Sequence, residues 1–395
     1  MSLLPLLAIN ALFMMAAAGG LALTTDVPPQ ALAHLALALG ALPLILAAMA
    51  YFVPVLTRSN ATLPRSLSLA PLTAWLGAAA LIAGFTGAMP YIAASHLAFL
   101  LASAATLALL LWAFGRRRRT VGRAHPGLNW YLAALACFTL ALLAVPLMSL
   151  WPSQHPALRL FHLHLNLLGF VGLTAIGTLQ VLLPTTLSQP DPRAAQRLTQ
   201  DLKYAIAGVL LLSAAAAWLP PLSLAGLILY LIAPLRMLWH WHEDYRQRLT
   251  GENRANCIHG AAISLILAGT GLIGLLLLGL SHSGTMLAGL NGRASIAAFV
   301  LAFLLPLVSG AATQLLPVWL RPGPQGEWHK RMRASLGRQA GLRAGLMVTG
   351  GWALAFGSLA GAWLGAAGMA ILIVTFLRGL CFTRPWPRQG KLNSP

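Results

Sequence analysis

The sequence predicts an all-α polytopic membrane protein with twelve transmembrane helices, arranged as three four-helix repeats around a pseudo-threefold axis. The 395-residue chain is 58% hydrophobic and only 8% charged, and its mean hydropathy is +0.76. Apolar runs of about 20 residues, the length that crosses a bilayer core as a helix, recur along the whole chain. These runs lack the alternation of membrane barrel strands, so we expect the spanning elements to be helices.

Twelve apolar segments are predicted to span the bilayer within a single transmembrane domain, residues 1–395. Their expected bounds are 4–24, 31–56, 69–89, 93–114, 129–151, 159–184, 204–219, 221–239, 257–280, 294–320, 344–363 and 364–380. A glycine-rich join is expected between the last two segments. The first segment has no preceding basic region and no convincing cleavage site, so we expect a retained span rather than a signal peptide.

Basic residues on alternate connections predict the orientation of the chain in the membrane. The connections after the even-numbered spans and the C-terminal tail carry most of the arginines, whereas the other connections hold only Arg159 and Arg293. We therefore expect a bacterial inner-membrane protein with both termini in the cytoplasm. Because the net charge of +19 is spread over these connections, the expected partner is the lipid bilayer and not a nucleic acid.

A shared spacing of prolines predicts the internal repeat. Spans 2 and 10 have prolines 9 and 20 residues after a reference position, which is His34 in span 2 and Ala297 in span 10. In span 6 a proline again lies 20 residues after the reference position, His164. The equivalent prolines are Pro54, Pro184 and Pro317. Since four spans separate them, the three units (about 1–125, 126–253 and 254–395) should share one orientation around an axis along the membrane normal.

Histidines near the predicted outer ends of the spans are the candidate ligands. His34 and His164 occupy equivalent repeat positions, so we expect both near the same central region. The helix N-terminus favours neutral imidazole, the form that binds haem iron or copper. His162 lies about 200° from His164 around a continuous helix, so the two should face different neighbours. The alternative is that these histidines are polar residues at the headgroup level.

The candidate cofactor ligands are His34, His162 and His164, and the candidate metal ligands are His162, His164, His96 and His259. For His96 the headgroup interpretation is favoured. His259 belongs to a cytoplasmic group with Cys257 and the Trp239–Asp244 stretch. That group has metal-binding residue types, but it equally fits the ordinary interfacial end of span 8.

Several function classes are disfavoured. All seven acidic residues fall in predicted connections, and ion-coupled transporters usually need an intramembrane carboxylate. The sequence contains no P-loop, H-E-x-x-H or G-x-S-x-G motif, so whether the chain is an enzyme stays open. The three cysteines are scattered and predict neither a disulfide framework nor covalently bound haem.

Twelve spans in three units, with histidines near the outer ends of spans 2 and 6, resemble the haem-copper oxidase subunit I superfamily. The stretch Phe161-His-Leu-His-Leu-Asn-Leu-Leu-Gly resembles its outlying NnrS-type branch, in which an H-x-H motif opens a span. Both this stretch and Leu315-Leu-Pro-Val also resemble the membrane domain that precedes some actinobacterial copper nitrite reductases.

The resemblance implies haem b, with or without copper, near the outer face, a role in nitrogen-oxide response or respiration, and a redox partner. It places His34 at the ligand position of the low-spin haem, and His164 or His162 near the copper ligand. The chain departs from a complete proton-pumping oxidase, because span 10 has Ala297 in place of ligand histidines and the proton-channel carboxylates are missing. The alternatives are a membrane transporter or cofactor-delivery protein, and a cofactor-free partner subunit of a respiratory complex.

Overall fold

The computed structural model describes residues 3–59, 64–187, 191–250, 260–285 and 292–381. Over these ranges the regular structure is entirely helical and includes no β-strand, which confirms the predicted all-α class. Ten of the described helices are long and apolar enough to cross a bilayer. The chain therefore has the architecture of a polytopic helical membrane protein.

Twelve main helices are labelled α1 to α12 in chain order. They are α1 Leu4–Thr24, α2 Pro29–Leu56, α3 Ala70–Phe85, α4 Tyr91–Arg118, α5 Gly127–Leu150, α6 Pro152–Thr186, α7 Ala194–Trp218, α8 Ser223–Thr250, α9 Gly260–Thr285, α10 Arg293–Leu320, α11 Ala340–Ala355 and α12 Ala360–Cys381. The two shorter ones, α3 and α11, each pack closely against the helix that follows, as α7 does against α8. A short amphipathic helix, Glu327–Leu336, precedes α11.

Most predicted spans lie within a few residues of an observed helix, but four boundaries are wrong. Helix α8 ends at Thr250 instead of 239. Helix α6 begins at Pro152 instead of 159, and α7 begins at Ala194 instead of 204 because its charged residues continue the helix. The join expected at residue 363 lies instead at 356–359. Gly357 makes that turn with φ 80°, a conformation that glycine adopts without steric cost.

Three helices form the centre of the molecule. In the apolar windows of α2, α6 and α10, 61%, 72% and 72% of the residues are buried, compared with 28% to 56% in the other seven long helices. These are the helices with the shared proline spacing. A helix that is apolar on all sides is expected at the centre of a bundle, where other helices surround it.

The same three helices change from α to π geometry in the same part of their length. The π-helical segments are Leu35–Ala41, Leu165–Gly172 and Val300–Leu304. We call the number of residues by which a position precedes the shared proline of its helix its offset. The segments cover offsets 19 to 13 in α2, 19 to 12 in α6 and 17 to 13 in α10. π-Helical segments are rare and often lie at functional positions. Because they recur at the same offsets in three helices, the residues beside them are candidate functional residues.

Gly271 of α9 lies against the π-helical segment of α10. A Cβ atom at this position would come within 1.7 Å of the carbonyl oxygen of Ala302. We expect Gly271→Ala to push the two helices apart and to lower the free energy of unfolding by about 1–3 kcal/mol, measured as a loss of thermal stability in detergent. Gly345→Ala on α11 is the control, because its added Cβ meets nothing within 4 Å. Equal loss in the two variants would contradict this account of the contact.

Candidate histidine site

The structure brings His34 of α2 and His162 of α6 together. Their ring centroids are 6.4 Å apart, and the ring planes are inclined by 24°. Both side chains are half-buried. Phe85, the last residue of α3, packs against His34 with a centroid distance of 5.4 Å. The end of the bundle opposite the shared prolines thus holds two adjacent imidazoles beside an aromatic ring.

A backbone carbonyl fixes each of these two rings. Nδ1 of His34 donates to the carbonyl oxygen of Gln30 at 2.7 Å, and Nδ1 of His162 donates to that of Ala141 in α5 at 2.8 Å. Because a carbonyl can only accept, Nδ1 carries the hydrogen, and in the neutral ring the free lone pair lies on Nε2. Metal-binding histidines are usually oriented in this way by a carbonyl or carboxylate.

His164 has the same local geometry but is not the ring that meets His34. Its Nδ1 donates to the carbonyl oxygen of Leu160 at 2.8 Å, one turn earlier in its own helix, as His34 does to Gln30. Helix α6 runs without a break through both histidines, so His162 and His164 project in different directions. The repeat register singles out His164, whereas the ring contact selects His162.

The π-helical segments begin immediately after the repeat-equivalent histidines. In α2 the segment starts one residue after His34, and in α6 it starts one residue after His164. The Asn166 side chain, in the first π turn, donates to the carbonyl oxygen of His162 at 2.6 Å. This bond satisfies a backbone acceptor close to the change in helix geometry.

The other predicted ligands do not join this pair. His96 is exposed on α4, and His259 lies outside the described residues, as does Cys257. Within the described ranges, no group of three or more His, Cys, Asp or Glu side chains could hold a metal ion. The site therefore offers two imidazoles, and any further ligand would come from another kind of group.

The ring spacing of the histidine pair is near that of two imidazoles bound to one copper ion. Metal–nitrogen bonds to imidazole are about 2 Å long, which puts the centres of two rings on one ion on the order of 5 to 6 Å apart. The observed 6.4 Å is close to that separation. Neutral imidazole suits copper, and the Nε2 lone pairs would be the donors. Haem b stays a prediction from the resemblance, and the cavity described next begins at least 7 residues deeper along α2 and α6 and does not include the histidines.

A cavity of about 110 Å³ lies between α2, α6 and α10. Each of these helices lines it with residues at offsets 13, 10, 9, 6, 5 and 2 before the shared proline, and α10 adds Trp319. At offset 6 the three residues are Ala48, Thr178 and Ala311. The lining is almost wholly apolar, and its Tyr131 hydroxyl lies 3.1 Å from Thr178 Oγ1, within hydrogen-bonding distance. An apolar cavity of about 150 Å³ in another protein stays dry and binds benzene or xenon, so this one suits small molecules.

The expectation that every acidic residue lies in a connection is wrong for Asp201. Because α7 starts earlier than predicted, Asp201 lies inside that helix and is completely buried. Nε of Arg236, on α8, lies 3.1 Å from its Oδ1. A carboxylate inside a candidate span weakens the sequence argument against transporters, but its pairing with an arginine also fits a structural ion pair.

A second ion pair lies beside this one. Arg197 of α7 is buried and pairs with Asp191 in the preceding connection. Burial alone would raise the pKa of Asp191, but hydrogen bonds from the Arg197 side chain and from the backbone N–H of Arg193 hold that pKa below its ordinary value. The carboxylate therefore stays charged at neutral pH and anchors the start of α7.

No family model matches the chain, and no curated protein matches it significantly. The function is therefore inferred from the residues of this chain and from their geometry.

The Asp201–Arg236 pair predicts a specific pattern of stabilities. We expect Arg236→Ala to lower the free energy of unfolding by about 1–3 kcal/mol, because it leaves a buried carboxylate without its charged partner. Adding Asp201→Asn should restore much of this loss, since the neutral amide costs less to bury. Thermal unfolding in detergent measures both effects, with exposed Lys203→Ala as the control. An additive double variant would argue against a coupled pair.

Proposed function

We propose that the chain is a copper-binding protein of the bacterial inner membrane, in which Nε2 of His34 and Nε2 of His162 hold the ion. The observation that carries this proposal is the ring pairing at 6.4 Å, with both Nδ1 atoms engaged by backbone carbonyls. In this arrangement two lone pairs are available on adjacent helices in a half-buried setting.

The proposal extends to the architecture of the haem-copper oxidase-like, NnrS-like group. We infer twelve spans in three four-helix units, about 1–125, 126–253 and 254–395. The shared proline spacing, the register of the π-helical segments and the matching cavity offsets all support this inference. Helices α3 and α11 have 16 residues each and would be about 24 Å long, so they would need local thinning of a bilayer core of roughly 30 Å.

The residues of the chain would set the properties of such a site. The Gln30 and Ala141 carbonyls orient the two imidazoles, and Phe85 covers His34 on one side. Bound copper would supply one-electron chemistry or a binding position for a small nitrogen oxide. This fits a role in nitrogen-oxide response or in respiration with a redox partner. Haem b, which the family resemblance implies, is the alternative group for the same histidines.

A transporter or cofactor-delivery protein is the second candidate function. The observation that favours it is the buried Asp201 inside α7, a position where carriers place coupling carboxylates. The central cavity does not support an ion path, because its apolar lining has no groups to replace the hydration of an ion. A delivery protein would bind copper transiently, whereas a resident site would retain it through purification.

The histidine site predicts a selective loss of copper. Purified full-length protein should contain about one copper ion for each chain, and His34→Ala or His162→Ala should each lower its affinity at least about ten-fold, because half of the known donors are lost. Metal analysis and reduced-minus-oxidised spectra measure the effect. His96→Ala is the control and should leave copper unchanged, because its side chain is exposed on another helix.

The same series distinguishes the alternatives. A Soret band lost in His34→Ala would assign haem b to the site instead of copper. Loss of copper in His164→Ala but not in His162→Ala would favour the repeat register over the ring contact. Wild-type protein without copper or haem, even after supplemented expression, would refute the metal proposal and favour a cofactor-free partner subunit.

The proposed orientation is open to a direct test. A fluorescent protein fused to the C-terminus should fold and fluoresce, because the positive-inside rule keeps the arginine-rich connections in the cytoplasm. Alkaline phosphatase inserted after Gly87, in the exposed connection between α3 and α4, should be active because that connection would lie outside. The reverse pattern would invert the orientation and would place the histidine pair on the cytoplasmic side.

A further inference from the structure

The central cavity is separate from the histidine pair. Its nearest lining residues on α2 and α6, Ala41 and Val171, lie 7 and 9 residues beyond His34 and His162. From offset 13 to offset 2 the lined stretch is about 16 Å long at the rise of an α-helix. A volume of about 110 Å³ spread over that length is narrow. The shape suits a few small molecules in a single row and is too small for a cofactor of the size of haem.

Residues facing the cavity retain exposure although they lie in the middle of the chain's most buried helices. At offset 6, Ala48, Thr178 and Ala311 are all half-buried, while most of their neighbours are fully buried. All three line the central cavity. Small side chains at one layer of all three helices therefore create the space.

The polar groups of the lining leave little for water to bind. Thr174 donates its hydroxyl to the carbonyl oxygen of Phe170 at 2.6 Å, and the Tyr131 and Thr178 hydroxyls lie within hydrogen-bonding distance of each other. The indole Nε1–H of Trp319 is buried and has no hydrogen-bond partner. A buried water normally makes about three hydrogen bonds, so this lining favours a dry cavity. The unused donors are this N–H and the second of the two hydroxyl hydrogens, and they suit a small, weakly polar molecule better than water.

We propose that this cavity is a binding site for small apolar molecules of the size of a dissolved diatomic gas, held among α2, α6 and α10. Such molecules partition from the lipid into apolar space without losing hydrogen bonds. The volume admits them, whereas a porphyrin or a bulky lipid headgroup does not fit. The inference does not depend on the metal proposal, since none of the lining residues is a candidate ligand.

Xenon is the probe, because it occupies dry apolar cavities and is directly located by anomalous scattering. Crystals of the full-length protein pressurised with xenon should show a peak at the layer of Ala48 and Ala311. Ala48→Leu and Ala311→Leu should each abolish that peak by filling the space. Ala136→Leu, on the exposed face of α5, is the matched control and should keep it.

A second variant covers the case in which the leucine substitutions prevent folding. Leu307→Ala removes a lining side chain, so it should enlarge the cavity and increase xenon occupancy relative to the wild type. A wild-type protein without a xenon peak on the axis would overturn the proposal. A peak that persists in both leucine variants would also overturn it, as would an alkyl chain on the axis that xenon does not displace.

Discussion

The structure depends on keeping the irregular backbone of three helices away from lipid. Helices α2, α6 and α10 each contain a π-helical segment and an internal proline, and both features interrupt regular hydrogen bonding. In a bilayer such interruptions are tolerated only where protein or a cavity surrounds them. The high burial of these three helices meets that requirement. The remaining long helices enclose them, and most of these are regular and more exposed.

The shared register of the three helices is visible at two levels of the bundle, the level of the histidines and the level of the cavity. The π-helical segments of α2 and α6 follow His34 and His164, and in all three helices the cavity begins near the end of the segment. A π turn adds one residue, which rotates everything beyond it relative to everything before it. In all three helices the same six offsets line the central cavity. The histidine layer and the cavity layer therefore lie at different levels of the same bundle and have no side chain in common.

Hydropathy and proline spacing predicted most of the fold, because both are local properties of the chain. The approximate spans followed from hydropathy, and the shared register of α2, α6 and α10 followed from the proline spacing. The choice of His162 as the ring partner of His34 did not, because it depends on the rotation of one helix against another. Asp201 was misplaced since a charged helical extension has no apolar signal. The π geometry also had no signal in the sequence.

The proposed repeats differ at the histidine layer, and that difference locates the site. The contact joins offset 20 of α2, His34, to offset 22 of α6, His162. Between α6 and α10, the same two offsets are occupied by His164 and Ser295. Between α10 and α2, they are occupied by Ala297 and Leu32, both completely buried. Only one of the three junctions thus pairs two imidazoles. The cavity is lined by offsets that are the same in all three helices. A metal site would instead require the one junction that pairs two histidines. Substitutions at one of these sites therefore need not change the other.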